Sequence, residues 1–282
     1  MSNLKGMVTG DGRTHVDNEF MRESLVSHAL NDRVDSESGD EVSLLPWAKF
    51  INIGGGSIMD KGSEAILPLL GELRSLRKEH HYILSVGGGV RARHTFQIAM
   101  DLGLPTGGLA QVAGAVEEQN STILHALLSQ YGGISMCREH FAELPKYLLT
   151  GMTPIVISMP PYHFWEPPSK EGLLPENGSD LGAFMTAEVL GVSQMVFIKD
   201  RDGQYTRNPA EHKDVSLIEE CTVAELIDLP SEDLIIERSV LDALNRARHV
   251  RTISIVNGLE RGNVAKALAG EKVGTLIHQD AK

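Results

Sequence analysis

Two apolar runs in this chain end in glycine triplets: Phe50-Ile51-Asn52-Ile53-Gly54-Gly55-Gly56-Ser57 and Tyr82-Ile83-Leu84-Ser85-Val86-Gly87-Gly88-Gly89. Between them, residues 63–78 place apolar side chains at three-to-four spacing, the mark of an amphipathic helix. A strand, a helix and a strand in this order imply neighbouring parallel strands in a sheet covered on both faces. Ligands of such sheets lie at the carboxyl ends of the strands, where both triplets fall. Residues without Cβ let backbone N–H groups approach phosphate oxygens, and a helix starting just beyond adds its positive dipole end. One triplet alone is weak evidence, because a glycine turn after a strand more often serves only chain reversal. Two at matching positions point to an anion site.

The alternation predicts strand 49–53, helix 63–78, strand 82–86 and a helix over about 90–102. In helix 63–78, Ile66, Leu67, Leu70, Leu73 and Leu76 are expected inward, with Glu64, Glu72 and Lys78 outward. Residues 111–131 read as a further long helix, 145–149 as part of another, and 155–158 as a buried strand. Residues 160–177 hold five prolines and three aromatics, too broken for regular structure and too bulky for a solvated linker, so they are a candidate binding loop. Beyond it come helix 181–190, strand 194–198, a loop over 199–212, helices near 223–228 and 239–249, strand 252–256, helix 263–269 and strand 275–278. The fold class expected is α/β, a three-layer αβα sandwich around a mainly parallel sheet. Residues 1–43 are polar and without sustained period, so they read as a mobile N-terminal arm suited to subunit contacts, with a short helix over 19–30 as the alternative to disorder. Residues 44–282 then form one domain, with an N-lobe over about 44–165 and a nucleotide-binding C-lobe over about 166–282.

The formal net charge of −12 argues against broad attraction to nucleic acid or anionic membranes, so any anion site must be built locally. No apolar stretch approaches the roughly 20 residues that span a bilayer, and the N-terminus lacks a signal-peptide layout, which places the chain in the cytoplasm. Cys137 and Cys221 have no CxxC partner, so free, mostly buried thiols are expected rather than a disulfide framework or zinc site.

After the second triplet comes Val90-Arg91-Ala92-Arg93-His94. On a helix starting here Arg91 and His94 share a face and could hold an anion, while Arg93 points elsewhere; a solvated basic turn accounts for the same residues. The string Asp200-Arg201-Asp202-Gly203-Gln204-Tyr205-Thr206-Arg207-Asn208-Pro209 is, by itself, a surface loop. Together with Ser179-Asp180 upstream and Val256-Asn257-Gly258-Leu259 through Gly274-Thr275 downstream, it resembles the amino-acid kinase superfamily, particularly its uridylate kinase branch. In that branch the loop from the aspartate through Gly-x-Tyr-Thr to Asn/Asp-Pro borders the bound nucleotide.

A closer likeness is to the molybdenum-storage family, nucleotide-binding relatives of the uridylate kinases that hold polynuclear molybdate inside a closed oligomer. It is carried by Leu44-Leu45-Pro46-Trp47, Met59-Asp60-Lys61-Gly62, Arg91-Ala92-Arg93-His94, Gly103-Leu104-Pro105, Gln119-Asn120 and Pro160-Pro161-Tyr162-His163. The resemblance implies ATP and Mg²⁺ as cofactors, molybdate or tungstate as cargo, and a homo- or hetero-oligomer, a hexamer in this family. It assigns Gly54, Gly55, Gly56, Gly87, Gly88, Gly89 and Arg91 to phosphates, Asp180 to a magnesium or phosphate neighbour, and Asp200, Tyr205, Asn208 and Pro209 to the nucleotide. His163 inherits the role of a cluster ligand, a chemistry that suits a neutral imidazole, with His140 and Glu139 as further candidates. Without the family, a lone histidine in an aromatic loop reads as a packed or hydrogen-bonded residue.

This chain also departs from the pattern. The family places a lysine just before Ile-Gly-Gly, where Asn52 stands here, and its loss removes a source of transition-state charge stabilisation. Lys49 is three residues upstream on the strand and faces the opposite side, while Lys61 could reach in from the loop. The histidine-rich run after Pro-Pro-Tyr is reduced to His163-Phe164-Trp165, and Tyr147 stands where a second ligand histidine is expected. Three functions follow: an ATP-loaded storage subunit, a uridylate kinase-like phosphotransferase, and a nucleotide-binding partner subunit without turnover.

Overall fold

The computed structural model describes residues 7–9, 14–16, 42–163 and 177–280. They fall into two compact units, residues 1–42 and 43–282. In the first, β1 (Met7–Thr9) and β2 (Thr14–Val16) pair antiparallel. The expected helix over 19–30 and the middle of the candidate loop, 164–176, lie outside the described residues.

The second unit is built on an eight-stranded sheet. Its strands are β3 (Lys49–Ile53), β4 (Tyr82–Val86), β5 (Gly133–Ser135), β6 (Thr153–Ile157), β7 (Gln194–Lys199), β10 (Glu220–Thr222), β11 (Thr252–Asn257) and β12 (Thr275–His278), in the order β10-β12-β11-β7-β3-β4-β6-β5. A separate antiparallel pair joins β8 (Gln204–Tyr205) to β9 (Leu217–Ile218). All neighbours in the large sheet are parallel except β11 and β12. The helices are α1 (Ser63–Leu76), α2 (Gly89–Asp101), α3 (Thr106–Leu128), α4 (Leu144–Leu149), α5 (Ser179–Leu190), α6 (Val223–Leu226), α7 (Arg238–Arg246) and α8 (Asn263–Leu268).

Strand alternation divides the core between the two faces. Phe50, Phe197, Ile253 and Ile255 pack with Phe184 of α5 and Leu241 and Leu244 of α7. Ile51, Ile53, Val196 and Val256 pack with Leu69, Leu70 and Leu73 of α1 and Val264 and Leu268 of α8. The sheet is therefore covered on both sides, as the near-continuous apolar strands require.

Local differences from the sequence reading have identifiable causes. In α1 the inward stripe is Ile66, Leu69, Leu70 and Leu73, while Leu67 is 53% exposed. The i, i+3, i+4, i+7 face passes through Leu69, and Leu67 lies about 100° off it. Helix α3 starts at Thr106, well before residue 111, and buries Gly107 and Gly108 in its first turn. Packing of α3 against α2 overrides the low helix propensity of glycine there. Strand β6 starts at Thr153 and admits Pro154, which pairs only with Ile134 of edge strand β5, since pairing with β4 begins at Ile155. Cys221 is buried, with its thiol pushed up to about 12 by desolvation, but Cys137 is exposed. No helix among the described residues is long and apolar enough to cross a membrane.

Candidate functional site

At the carboxyl ends of β3, β4 and β7 lies a cavity of about 720 Å³. Both triplets line it. Gly54 N–H donates to the Ile198 carbonyl of β7 at 2.9 Å, and Gly87 N–H to the Ile53 carbonyl of β3 at 3.0 Å, so each turn is pinned to the neighbouring strand. The turns also interlock. A Cβ on Gly55 would stand 2.4 Å from Gly89 N and 2.5 Å from Gly87 O, closer than side chains and backbone approach. Gly89 adds a positive φ of 69°. Asn120 of α3 donates to Gly87 O at 2.7 Å and holds the second turn from behind. Asp60 accepts the Val90 N–H at 2.5 Å, so a carboxylate already sits at the N-terminus of α2, where an anion is electrostatically favoured.

The floor carries a buried polar triad. Lys199, the last residue of β7, donates to Asp180 Oδ1 at 2.9 Å and Oδ2 at 2.7 Å. Asn52 of β3 donates to the same Oδ1 at 2.9 Å and accepts from Ser85 Oγ at 2.9 Å. Two further carboxyl groups line the walls. Glu117 of α3 accepts from Ser158 N at 3.1 Å and Met159 N at 2.6 Å; burial pushes its carboxyl up to about 8, against the pull of those two bonds. Glu237 accepts from the N–H groups of Gly178, Asp180 and Leu181 at 3.0, 3.2 and 3.1 Å, closing the N-terminus of α5. Burial first, and then the Asp180 charge, raise Glu237 to about 7.

Residues 51–257 match the amino acid kinase family. The chain belongs to that family. It is 40% identical over 267 residues to the molybdenum storage protein subunit beta of Azotobacter vinelandii, covering 91% of this chain and 96% of that one. It is 28% identical over 237 residues to the uridylate kinase of Methanothermobacter thermautotrophicus, covering 80% and 97%. The crystal structure of the Archaeoglobus fulgidus uridylate kinase superposes with a TM-score of 0.64 over 82% of this chain and 99% of that one, at 19% identity, a likeness of fold. The amino-acid kinase fold expected from the motifs is the one observed.

Within this amino-acid kinase domain, Gly54, Gly55, Gly56, Gly87, Gly88 and Gly89 line the cavity together with Asp180, Asp200 and Asn208. Tyr205 and Pro209 are outside its lining; the Tyr205 hydroxyl donates to Asp202 Oδ2 at 3.4 Å. The loop is fixed from downstream, with Asn257 donating to Asp202 Oδ1 at 2.9 Å and Asp233 accepting the Asn208 N–H at 2.7 Å. Arg91 also lies outside: its guanidinium turns to Asn120 Oδ1 and Gln119 Oε1 of α3. Arg93, expected to point elsewhere, lines the cavity instead. Lys61 pairs with Asp200 at 3.1 Å at the rim, and Lys49 donates to the Leu268 carbonyl on the opposite face of the sheet. His163 is exposed beyond β6 and does not line the cavity. His140 and Glu139 lie in the 3₁₀ turn Arg138–Glu143, with His140 Nδ1 3.0 Å from Cys137 Sγ.

The amides of the interlocked turns, with Arg93 and Lys199, fit the phosphates of a nucleotide, and the volume fits its remaining atoms. Magnesium bound with phosphates needs only one or two carboxylates, which Asp180 and Asp200 offer. Among the described residues no group of three or more His, Cys, Asp or Glu is placed to hold a metal by itself. Sequence reasoning missed Lys199, Glu117 and Glu237. Only Lys199 carried a signal, a lysine at the junction of an apolar strand with the Asp200 loop; Glu117 sits inside α3 and Glu237 just before α7, with nothing local to mark either.

Proposed function

We propose that this chain is a molybdenum-storage subunit that binds ATP with Mg²⁺ in the cavity and holds molybdate or tungstate as polynuclear oxoanion clusters. Loading depends on ATP, and the working unit is an oligomer, a hexamer of this chain alone or with a related subunit, in the cytoplasm. The observation that carries this reading is the 40% identity with a storage subunit across 91% of the chain. The amide-lined cavity supports the nucleotide part. Gly54, Gly55, Gly56, Gly87, Gly88 and Gly89 face the phosphates, and Asp200 and Asn208 border the nucleotide. His163 is the proposed cluster ligand, with His140 and Glu139 as its candidate neighbours.

The test is to incubate purified protein with molybdate, with and without Mg-ATP, and to measure molybdenum per subunit after gel filtration. Many metal atoms per subunit, dependent on ATP and lost in His163→Ala, are expected. Stoichiometric or no metal would overturn the storage reading. A uridylate kinase-like transfer is the second reading, favoured by the 28% identity over 80% of the chain to a uridylate kinase. Asn52 in place of the family lysine weighs against it, and turnover of ATP with UMP would establish it.

A further inference from the structure

The loss of a lysine on β3 leaves open which group neutralises a phosphate or oxoanion at the end of this strand. We propose that Lys199 supplies that charge from the neighbouring strand β7, with Asp180 and Asn52 as its positioning residues. The inference rests on the reading of the cavity as an anion site and names the cation that serves it.

Register makes the substitution geometrically possible. Strands β3 and β7 are parallel neighbours with Asn52 opposite Phe197. Lys199 is two residues beyond Phe197, so its side chain leaves the sheet on the face that Asn52 uses. A lysine there reaches the same carboxylate that Asn52 reaches, Asp180 at the start of α5. The Lys199 stem runs beside Gly54, where an added Cβ would stand at an ordinary contact of 3.4 Å from Lys199 Cδ.

The hydrogen bonds leave one donor over. An ammonium has three N–H groups, and two of those on Lys199 meet the two oxygens of Asp180. The third belongs to the cavity that Lys199 lines. Of the three basic residues in that lining, Arg93 is exposed and Arg201 half-buried, whereas Lys199 is 9% exposed. A charge held away from water acts on an incoming anion through a lower effective dielectric, and since Asp180 at 2.7 Å offsets part of that charge, what Lys199 adds is the direct hydrogen bond of its third N–H. Asn52 holds Asp180 from the other side without adding a second charge, which fixes one lysine against one carboxylate.

The competing role for Lys199 is neutralisation of Asp180 and nothing more. Calorimetric titration of the purified full chain with ATP, in EDTA and then with Mg²⁺, separates the two. Lys199→Gln is expected to weaken ATP binding about tenfold or more, as loss of a charge-assisted hydrogen bond does. Asn52→Lys in the Lys199→Gln background, which returns a lysine to β3, is expected to recover most of that affinity. Asp180→Asn removes the carboxylate charge but keeps an amide oxygen for Lys199, so in EDTA this variant is expected to bind ATP clearly more tightly than Asp180→Asn/Lys199→Gln, which remains weak. The last pair also guards against unfolding, because it leaves no buried unpaired charge, and circular dichroism confirms its fold. Lys199→Gln binding like wild type, or the Asp180→Asn/Lys199→Gln protein binding like Asp180→Asn, overturns the inference while the anion site stands. Wild-type protein that binds neither ATP nor molybdate overturns the reading of the cavity, and this inference with it.

Discussion

Glu237 Oε1 accepts the backbone N–H of Asp180 at 3.2 Å, so one buried acid closes the helix whose first turn carries another. Glu117 does the same for the turn after β6, gripping Ser158 and Met159. These two carboxyl groups are raised to about 7 and about 8, which gives the fold a pH dependence of definite sign. A carboxyl whose folded pKa lies above its ordinary value favours folding while protonated, and that contribution is lost as pH rises from the ordinary carboxylate range through the folded pKa. Thermal melts should therefore show stability falling between about pH 5 and pH 8. Glu117→Gln, which cannot ionise, should flatten the part of the slope nearest pH 8. An unchanged slope in that variant refutes the assignment.

The interlocked turns tolerate no Cβ on Gly55, because its neighbours at 2.4 and 2.5 Å are backbone atoms. Gly55→Ala should lose nucleotide binding and melt at a lower temperature. Gly71, inside α1 with nothing within 4 Å of an added Cβ, is the control, and Gly71→Ala should stabilise by about 0.4–1 kcal/mol. Denaturant titration of both variants distinguishes the close approach at Gly55 from a general effect of glycine replacement.

The inward face of α1 can be read by truncation. Leu73 is fully buried between α1 and the sheet, so Leu73→Ala should cost about 2–5 kcal/mol. Leu67 is exposed, and Leu67→Ala should stay within about 0.5 kcal/mol. Equal losses at the two positions would show that the stripe runs through Leu67 after all.

Arg93→Ala should weaken ATP binding directly, since Arg93 lines the cavity. Arg91→Ala should act only through Asn120, which Arg91 contacts and which holds Gly87, and so should lower stability more than affinity. Calorimetry and thermal melts on both variants separate these outcomes; affinity lost only in Arg91→Ala contradicts the arrangement.

The strand runs 49–53, 82–86 and 275–278 were legible in the sequence because apolar runs bounded by glycine, charge or chain reversal depend on nearest neighbours alone. The triplets were legible as a paired feature for the same reason, and their place at the strand ends follows from parallel βα connectivity. The sequence put Arg91 and Arg93 on different faces of the helix but chose the wrong one for the cavity, since which face meets it depends on what stands opposite, here the Asn120 side chain of α3 against Arg91.

What the sequence determined by itself was the alternation of strands and helices, the doubly covered sheet and the paired glycine turns at the ends of β3 and β4. Only the tertiary structure decided how charge is held there. Asn52, Asp180 and Lys199 come from three separate elements, Glu117 from a fourth, and Glu237 from the residue before α7. A buried ion pair depends on distances of a few ångströms between side chains far apart in the chain, and no local period records them.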